Sequence, residues 1–181
     1  MEPRTSALHI VEPTLTGKAG HCHSFLESLF LGMEDLHNQV PITVWAGRSV
    51  DSSLYGGRDI DVVPYFQRRL RRLQVFLLYR RLLRAPGRIF VQTAGRNDLF
   101  LINLASGGQI PPNKVFFYFH WLRLNDKKKE FIRKMAVRVP ELTIVTPVES
   151  VASNFLEMGF ARVKQVPYPI TSAREEAKIA N

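Results

Sequence analysis

Two short segments, Val115-Phe-Phe-Tyr-Phe119 and Leu142-Thr-Ile-Val-Thr146, are aromatic, aliphatic or β-branched at every position. A strand with one face in water alternates apolar and polar residues, so runs like these belong to strands covered on both faces. Such strands occur where helices flank a parallel sheet. Five further stretches have strand character: 7–11, 41–46, a weaker one at 61–65, 88–93, and 163–169. Helical periodicity fills most of the gaps. Phe25, Leu26, Leu29, Phe30 and Met33 share one face of a helix running from about His21 to Gly32. Further helical patterns cover 67–84, closed by Ala85-Pro86-Gly87, then 97–106, ended by Gly107-Gly108, and 126–138. The last begins after Thr146, where Thr146, Pro147 and Glu149 have the spacing of a capping box, and it stops at Gly159.

About seven strands alternating with five or six helices predict an α/β fold with a doubly wound, mainly parallel sheet and right-handed crossovers. With 181 residues, 45% of them hydrophobic, the chain is long enough for one packed core and too apolar for general disorder. Residues 1–170 read as one domain. The stretch 171–181, alanines and charged residues for the most part, reads as a tail or the start of a linker.

In sheets of this type ligands bind beyond the carboxyl ends of the strands. The segments to inspect are therefore Glu12 to His21, Thr93 to Arg96, His120 to Arg123, and Thr146. Gly17 and Gly20 lie between the first strand and the first helix, where a diphosphate can approach bare backbone and a helix N-terminus. Their spacing matches neither the dinucleotide fingerprint nor the Walker pattern, and suits a plain turn equally well. His120 follows the most apolar strand, as a ligand-facing imidazole or as an ordinary strand-end histidine. His21-Cys22-His23 contains the only cysteine of the chain, too few ligands for a structural zinc, so no metal site and no disulfide framework is expected.

The formal charge is +9, and it is regional. Residues 67–84 hold seven arginines and no acid, and 114–138 hold eight Lys/Arg against Asp126 and Glu130. An anionic partner follows from such clustering. Arg68, Arg69, Arg71 and Arg72 open a leucine-rich helical pattern suited to the interface of an anionic bilayer. The bland alternative is a crossover helix that packs its apolar side on the sheet, Leu70, Leu73 and Leu77 with Val75, Phe76, Leu78, Leu82 and Leu83 to one side, and solvates its arginines. Nucleic acid competes as a partner, but no aromatic platform or recognition motif specifies it. No apolar run approaches the roughly 18 residues of a membrane span, and the N-terminus lacks the order of a signal peptide. A cytoplasmic protein, peripheral at the inner face of the membrane at most, is expected.

Taken in order, several segments carry a family likeness. They are the glycine loop after the first strand, Val91-Gln92-Thr93, Phe117-Tyr118-Phe119-His120, Ile144-Val145-Thr146-Pro147 with Ser150, Ser153-Asn154 and Phe155 to Gly159, and Val163 to Ile170. This progression resembles the N-terminal, acceptor-side domain of GT-B glycosyltransferases, especially glycosyltransferase family 4 (glycosyl transferases group 1), over residues 7–170. The resemblance implies a Rossmann-like half of a retaining glycosyltransferase that moves a sugar from a nucleotide-sugar donor, a substrate rather than a cofactor, to a carbohydrate or lipid-linked acceptor. It maps a donor contact to Gly17 and Gly20 and a contact with the reacting sugar to His120; His21 or His23, where the first helix begins, is expected to line the cleft, with His21 taken for the donor side. Arg96 and Arg123 fall to phosphate or acceptor contacts, and the basic helix at 67–84 to lipid docking. In that family the nucleotide is held chiefly by a C-terminal domain, so these residues alone are expected to be inactive and to need that domain or a partner subunit. Two other readings remain beside this one: a non-catalytic basic module for nucleic acid or membrane, and a self-contained small-molecule enzyme of flavodoxin-like type.

Overall fold

The structure, a computed structural model, describes residues 7–35, 40–56 and 58–168. The tail at 171–181 lies outside them. Seven strands form one sheet: β1 (Leu8–Glu12), β2 (Ile42–Gly47), β3 (Ile60–Phe66), β4 (Arg88–Val91), β5 (Val115–Tyr118), β6 (Thr143–Thr146) and β7 (Val163–Gln165). Every pairing is parallel, in the order β3-β2-β1-β4-β5-β6-β7. The expected doubly wound, Rossmann-like α/β architecture is what the chain adopts, with five helices among the described residues: α1 (His21–Asp35), α2 (Arg71–Arg84), α3 (Arg96–Ser106), α4 (Asp126–Arg138) and α5 (Glu149–Glu157).

The two faces of the sheet organise two apolar clusters. On one, Val75, Leu78 and Tyr79 of α2, Leu99 and Ile102 of α3, and Ile132 and Met135 of α4 pack on Val91, Val115, Phe117 and Ile144. On the other, Phe25, Leu26 and Phe30 of α1 pack on Ile10, Val44 and Val62. Among the described residues no helix links β2 to β3; the turn-rich loop between them buries Val50, Leu54 and Tyr55 beside α1 instead. Arg58 ties that loop to the helix through Glu27 (2.7 Å) and Glu34 (2.6 Å). Pro64 sits in β3, which it can do because β3 is an edge strand.

Three local expectations change. The helix expected from Gln67 starts at Arg71, with Leu70 at its cap. The amide of Gln74 is the reason: its oxygen accepts the Gln67 N–H (2.7 Å) and its nitrogen donates to the Tyr65 carbonyl (3.0 Å), holding 67–70 as a turn. Arg68 and Arg69 therefore precede the helix, while Arg71 and Arg72 open it. Within α2 the buried side is Val75, Leu78, Tyr79 and Leu82; Leu70, Leu73 and Leu77, assigned to the apolar side by spacing, are 48%, 54% and 48% exposed. Finally, no capping box forms after β6. Thr146 is held in the strand, opposite Gln165 and accepting the Val166 N–H at its carbonyl (2.9 Å), so α5 begins three residues later at Glu149. The Thr146 hydroxyl accepts only the Val148 N–H (3.2 Å).

Candidate functional site

Strand order reverses between β1 and β4, which lie side by side at the centre of the sheet with their next strands in sequence on opposite sides. Loops leaving such a pair diverge and open a crevice at the carboxyl edge. Here that crevice is a cleft of about 650 Å³. Its walls are the segment after β4 (Thr93 to Arg96), the segment after β5 (Phe119 to Arg123), His21 at the start of α1, and Lys128 in the first turn of α4. Backbone bonds carry the strands into it: the Ala94 N–H donates to the Tyr118 carbonyl (3.1 Å) and the Phe119 N–H to the Val145 carbonyl (2.8 Å).

His120 is held in the cleft by a hydrogen bond and by surrounding rings. Its Nε2 lies 3.0 Å from the Gln92 carbonyl. A carbonyl only accepts, so Nε2 carries the proton in this contact and Nδ1 remains the acceptor of the ring. Half-burial, then the neighbouring His21, hold its pKa below the ordinary histidine value, against the opposing pull of the Gln92 carbonyl. The His21 ring meets His120 edge-on at 4.8 Å. Tyr118 (4.8 Å), Phe25 (5.8 Å) and Tyr168 (5.8 Å) complete an aromatic collar around the imidazole. Tyr168 also packs on Phe25 at 5.3 Å, so the chain leaving β7 returns to the His120 side of the sheet.

Gln92 joins these parts. It is fully buried, its side-chain N–H₂ donates to the Cys22 carbonyl in the first turn of α1 (2.8 Å), and its backbone carbonyl accepts the His120 Nε2–H. Glu12, at the tip of β1, is equally buried and accepts from the Thr14 N–H (2.9 Å), the Thr14 hydroxyl and the Thr93 hydroxyl (2.6 Å). These bonds set the start of the β1–α1 loop against the cleft wall at Thr93. On the far side, Asp98 of α3 accepts the Gly95 N–H (2.9 Å) and the Tyr79 hydroxyl (3.1 Å), fixing the turn that presents Arg96.

The expected residues divide. His21, Arg96, His120 and Arg123 come together around the cleft. Gly17 and Gly20 do not form its wall; Gly20 has φ +96° and precedes α1, whereas a Cβ on Gly17 would meet nothing. The close approach to this loop comes from Gly47 at the end of β2, where a Cβ would lie 2.9 Å from the Leu15 carbonyl oxygen. Thr146 is buried below the edge, outside the cleft wall. Arg68, Arg69, Arg71 and Arg72 sit after β3, three strands from β4.

His21 and Cys22 stay in contact, the Cys22 Sγ lying 3.9 Å from His21 Nδ1, while His23 points elsewhere along the helix. His21 reaches His120, Cys22 approaches the Thr14 hydroxyl (3.4 Å), and His23 stacks on Tyr55 (5.5 Å). Burial, and next the Glu12 charge, raise the Cys22 thiol pKa, the opposite of an activated nucleophile. Among the described residues no group of three or more His, Cys, Asp or Glu side chains is placed to hold a metal ion. Among them, too, no helix is long and apolar enough to cross a membrane. Residue-by-residue reading missed Lys128, and it assigned no role to Gln92 or to Glu12, although Glu12 opens one of the strand-end segments. The first was accessible, because the helix after β5 must start at the same edge as the cleft.

A scan against protein-family models finds no match for this sequence, and a search of curated proteins finds none either.

Proposed function

We propose that this chain is the acceptor-side domain of a retaining glycosyltransferase, forming one wall of the cleft in which a nucleotide-activated sugar meets its acceptor. The observation that carries the reading is the junction of His21 and His120 at the strand-order reversal, opening on a cleft of ligand size. In the reaction this implies, the bond from the anomeric carbon to the donor diphosphate breaks while the acceptor oxygen bonds on the same face. The acceptor proton leaves with the diphosphate. His120 is neutral at neutral pH and keeps Nδ1 as an acceptor, which suits it to hold a sugar hydroxyl rather than to neutralise phosphate. The His21 ring beside it, at the mouth of α1, is suited to the donor side, with Gly20 next to the helix N-terminus. Arg96 and Arg123 supply positive charge for a phosphate. Most of the nucleotide contacts fall to a second domain or subunit, and transfer by these 181 residues alone is not expected.

The same reading has the domain rest on an anionic membrane. Leu70, Leu73 and Leu77 form an exposed apolar stripe at helical spacing, with Arg68, Arg69, Arg72, Arg80 and Arg84 exposed on the same segment. Exposed leucines among arginines suit a lipid interface, where both kinds of residue contribute; a nucleic-acid backbone rewards only the arginines.

The test is chemical-shift mapping of the labelled chain with millimolar UDP- and GDP-sugars, a concentration at which a half-site still reports. Perturbations concentrated at Gly20, His21 and His120, and lost in His120→Ala, are the expected outcome. Sugars that leave these three signals unmoved, while single-stranded DNA shifts the arginines of α2, would replace the reading with the nucleic-acid module.

A further inference from the structure

The lining of the cleft is two-sided in a way that identifies a class of ligand. Arg96, Arg123 and Lys128 contribute three positive charges, and among the described residues no aspartate or glutamate lines it. Between them lie Leu99, Phe119, Leu122 and Ile132, with Trp121 at the mouth. The arginines are not loose: the Arg96 guanidinium lies 5.6 Å from the centre of the Phe131 ring and that of Arg123 5.6 Å from the Trp121 ring. Lys128 donates to the Arg123 carbonyl (3.1 Å), linking two of the cations. A purely polar phosphate compound would use the cations and leave the apolar surface wet. A neutral lipid would fill the floor and leave three charges without a counter-ion.

We infer that the cleft binds an anionic amphiphile, a phosphate carrying a hydrocarbon chain, with the phosphate on Arg96, Arg123 and Lys128 and the chain over the apolar floor. The inference deepens the glycosyl-transfer reading, on which it rests only for naming this ligand the acceptor. Topology supplies a route. In a parallel sheet every crossover helix starts at the carboxyl edge, so the N-termini of α2, α3 and α4 share the edge that holds the cleft. The exposed Leu70 and Leu73 stand at that end of α2, and Phe100 stands one turn into the neighbouring α3, also exposed. A bilayer touching this edge lies beside the mouth of the cleft.

Trp121 makes the test direct, because it is 68% exposed at the cleft whereas Trp45, the other tryptophan, is buried. The 181-residue chain is titrated with dodecyl phosphate below its micelle concentration, with inorganic phosphate, and with dodecyl maltoside, following tryptophan emission. Saturable binding of dodecyl phosphate is expected, absent from the emission of Trp121→Phe. Arg96→Gln and Arg123→Gln should each weaken it about tenfold, the worth of one charge-assisted hydrogen bond. Unfolding midpoints of the variants confirm that they fold. Leu73→Gln/Leu77→Gln, on the outer stripe, should leave it unchanged.

Inorganic phosphate binding as tightly would overturn the amphiphile in favour of free phosphate. Dodecyl maltoside binding as tightly would overturn the role of charge. Loss in the stripe variant without loss in the arginine variants would move the site out of the cleft. Failure to bind dodecyl phosphate by a chain that still shifts at His21 and His120 with nucleotide-sugars would remove this inference and leave the transferase reading; the reverse pattern would remove the transferase reading and keep this one.

Discussion

Asp98 offers a prediction whose sign and size both come from its surroundings. Its carboxyl group closes the turn between β4 and α3, accepting from Gly95 and Tyr79 and so holding Arg96 at the cleft. Burial is the dominant influence and pushes its pKa from 3.8 up to about 6, although both hydrogen bonds pull it down. A group with a raised pKa keeps its proton longer in the folded chain than in the unfolded one. Between pH of about 4 and about 6 the native state is therefore protonated where the unfolded state is not, and stability falls as pH rises through that window. Above pH 6 this contribution is constant. The separation of roughly two units corresponds to about 3 kcal/mol. Asp98→Asn keeps an oxygen for the Gly95 N–H and offers its own N–H to the Tyr79 oxygen, but never ionises. Measured by urea unfolding, the difference between Asp98→Asn and the natural chain should move in favour of the variant by up to about 3 kcal/mol from pH 4 to pH 7, other titrating groups cancelling in the comparison. A difference that stays flat across that range would refute the account of a buried carboxyl with a raised pKa.

Three further outcomes follow from the packing. Gly87→Ala places a Cβ 2.1 Å from the Ala7 carbonyl oxygen at φ +94°, and a loss of at least about 1–3 kcal/mol from backbone strain alone is expected in denaturant unfolding, whereas Gly17→Ala, which meets nothing, should be neutral or slightly stabilising. Leu78→Ala in the core face of α2 should cost about 2–5 kcal/mol, while Leu77→Gln on the exposed stripe should stay within about 0.5 kcal/mol yet reduce flotation with anionic vesicles; equal effects of the two on stability would contradict the observed orientation of the helix. Lys114→Met removes the ammonium that donates to the Ala85 and Gly87 carbonyls, and about 1–3 kcal/mol should be lost in thermal or urea unfolding.

Comparison of residues with their outcomes shows why some positions were readable and others were not. The strand-tip rule led directly to Arg96, His120 and Arg123, because the end of a strand is a local feature and its place at the edge of a parallel sheet is general. The face of α2 was not readable in the same way. Apolar residues at 70, 73, 75–79, 82 and 83 surround much of that helix, and two different stripes satisfy helical spacing; packing against α3, β3 and Phe117 of β5 selects Val75, Leu78 and Tyr79. Gln92 and Glu12 looked like ordinary polar residues at strand ends. Their burial depends on partners distant in sequence, Cys22 and His120 for one, Thr93 for the other.

By itself, then, the sequence determined the α/β alternation, the helix stops at Pro86 and Gly107, and the set of segments that must reach the carboxyl edge, since these depend on patterns a few residues long. The tertiary structure alone decided which leucines remain exposed, which glycine the first loop requires, and that His21 and His120, 99 positions apart in the chain, meet at 4.8 Å. Those outcomes depend on which surfaces the sheet order brings into contact, a property of the assembled chain that no local window contains.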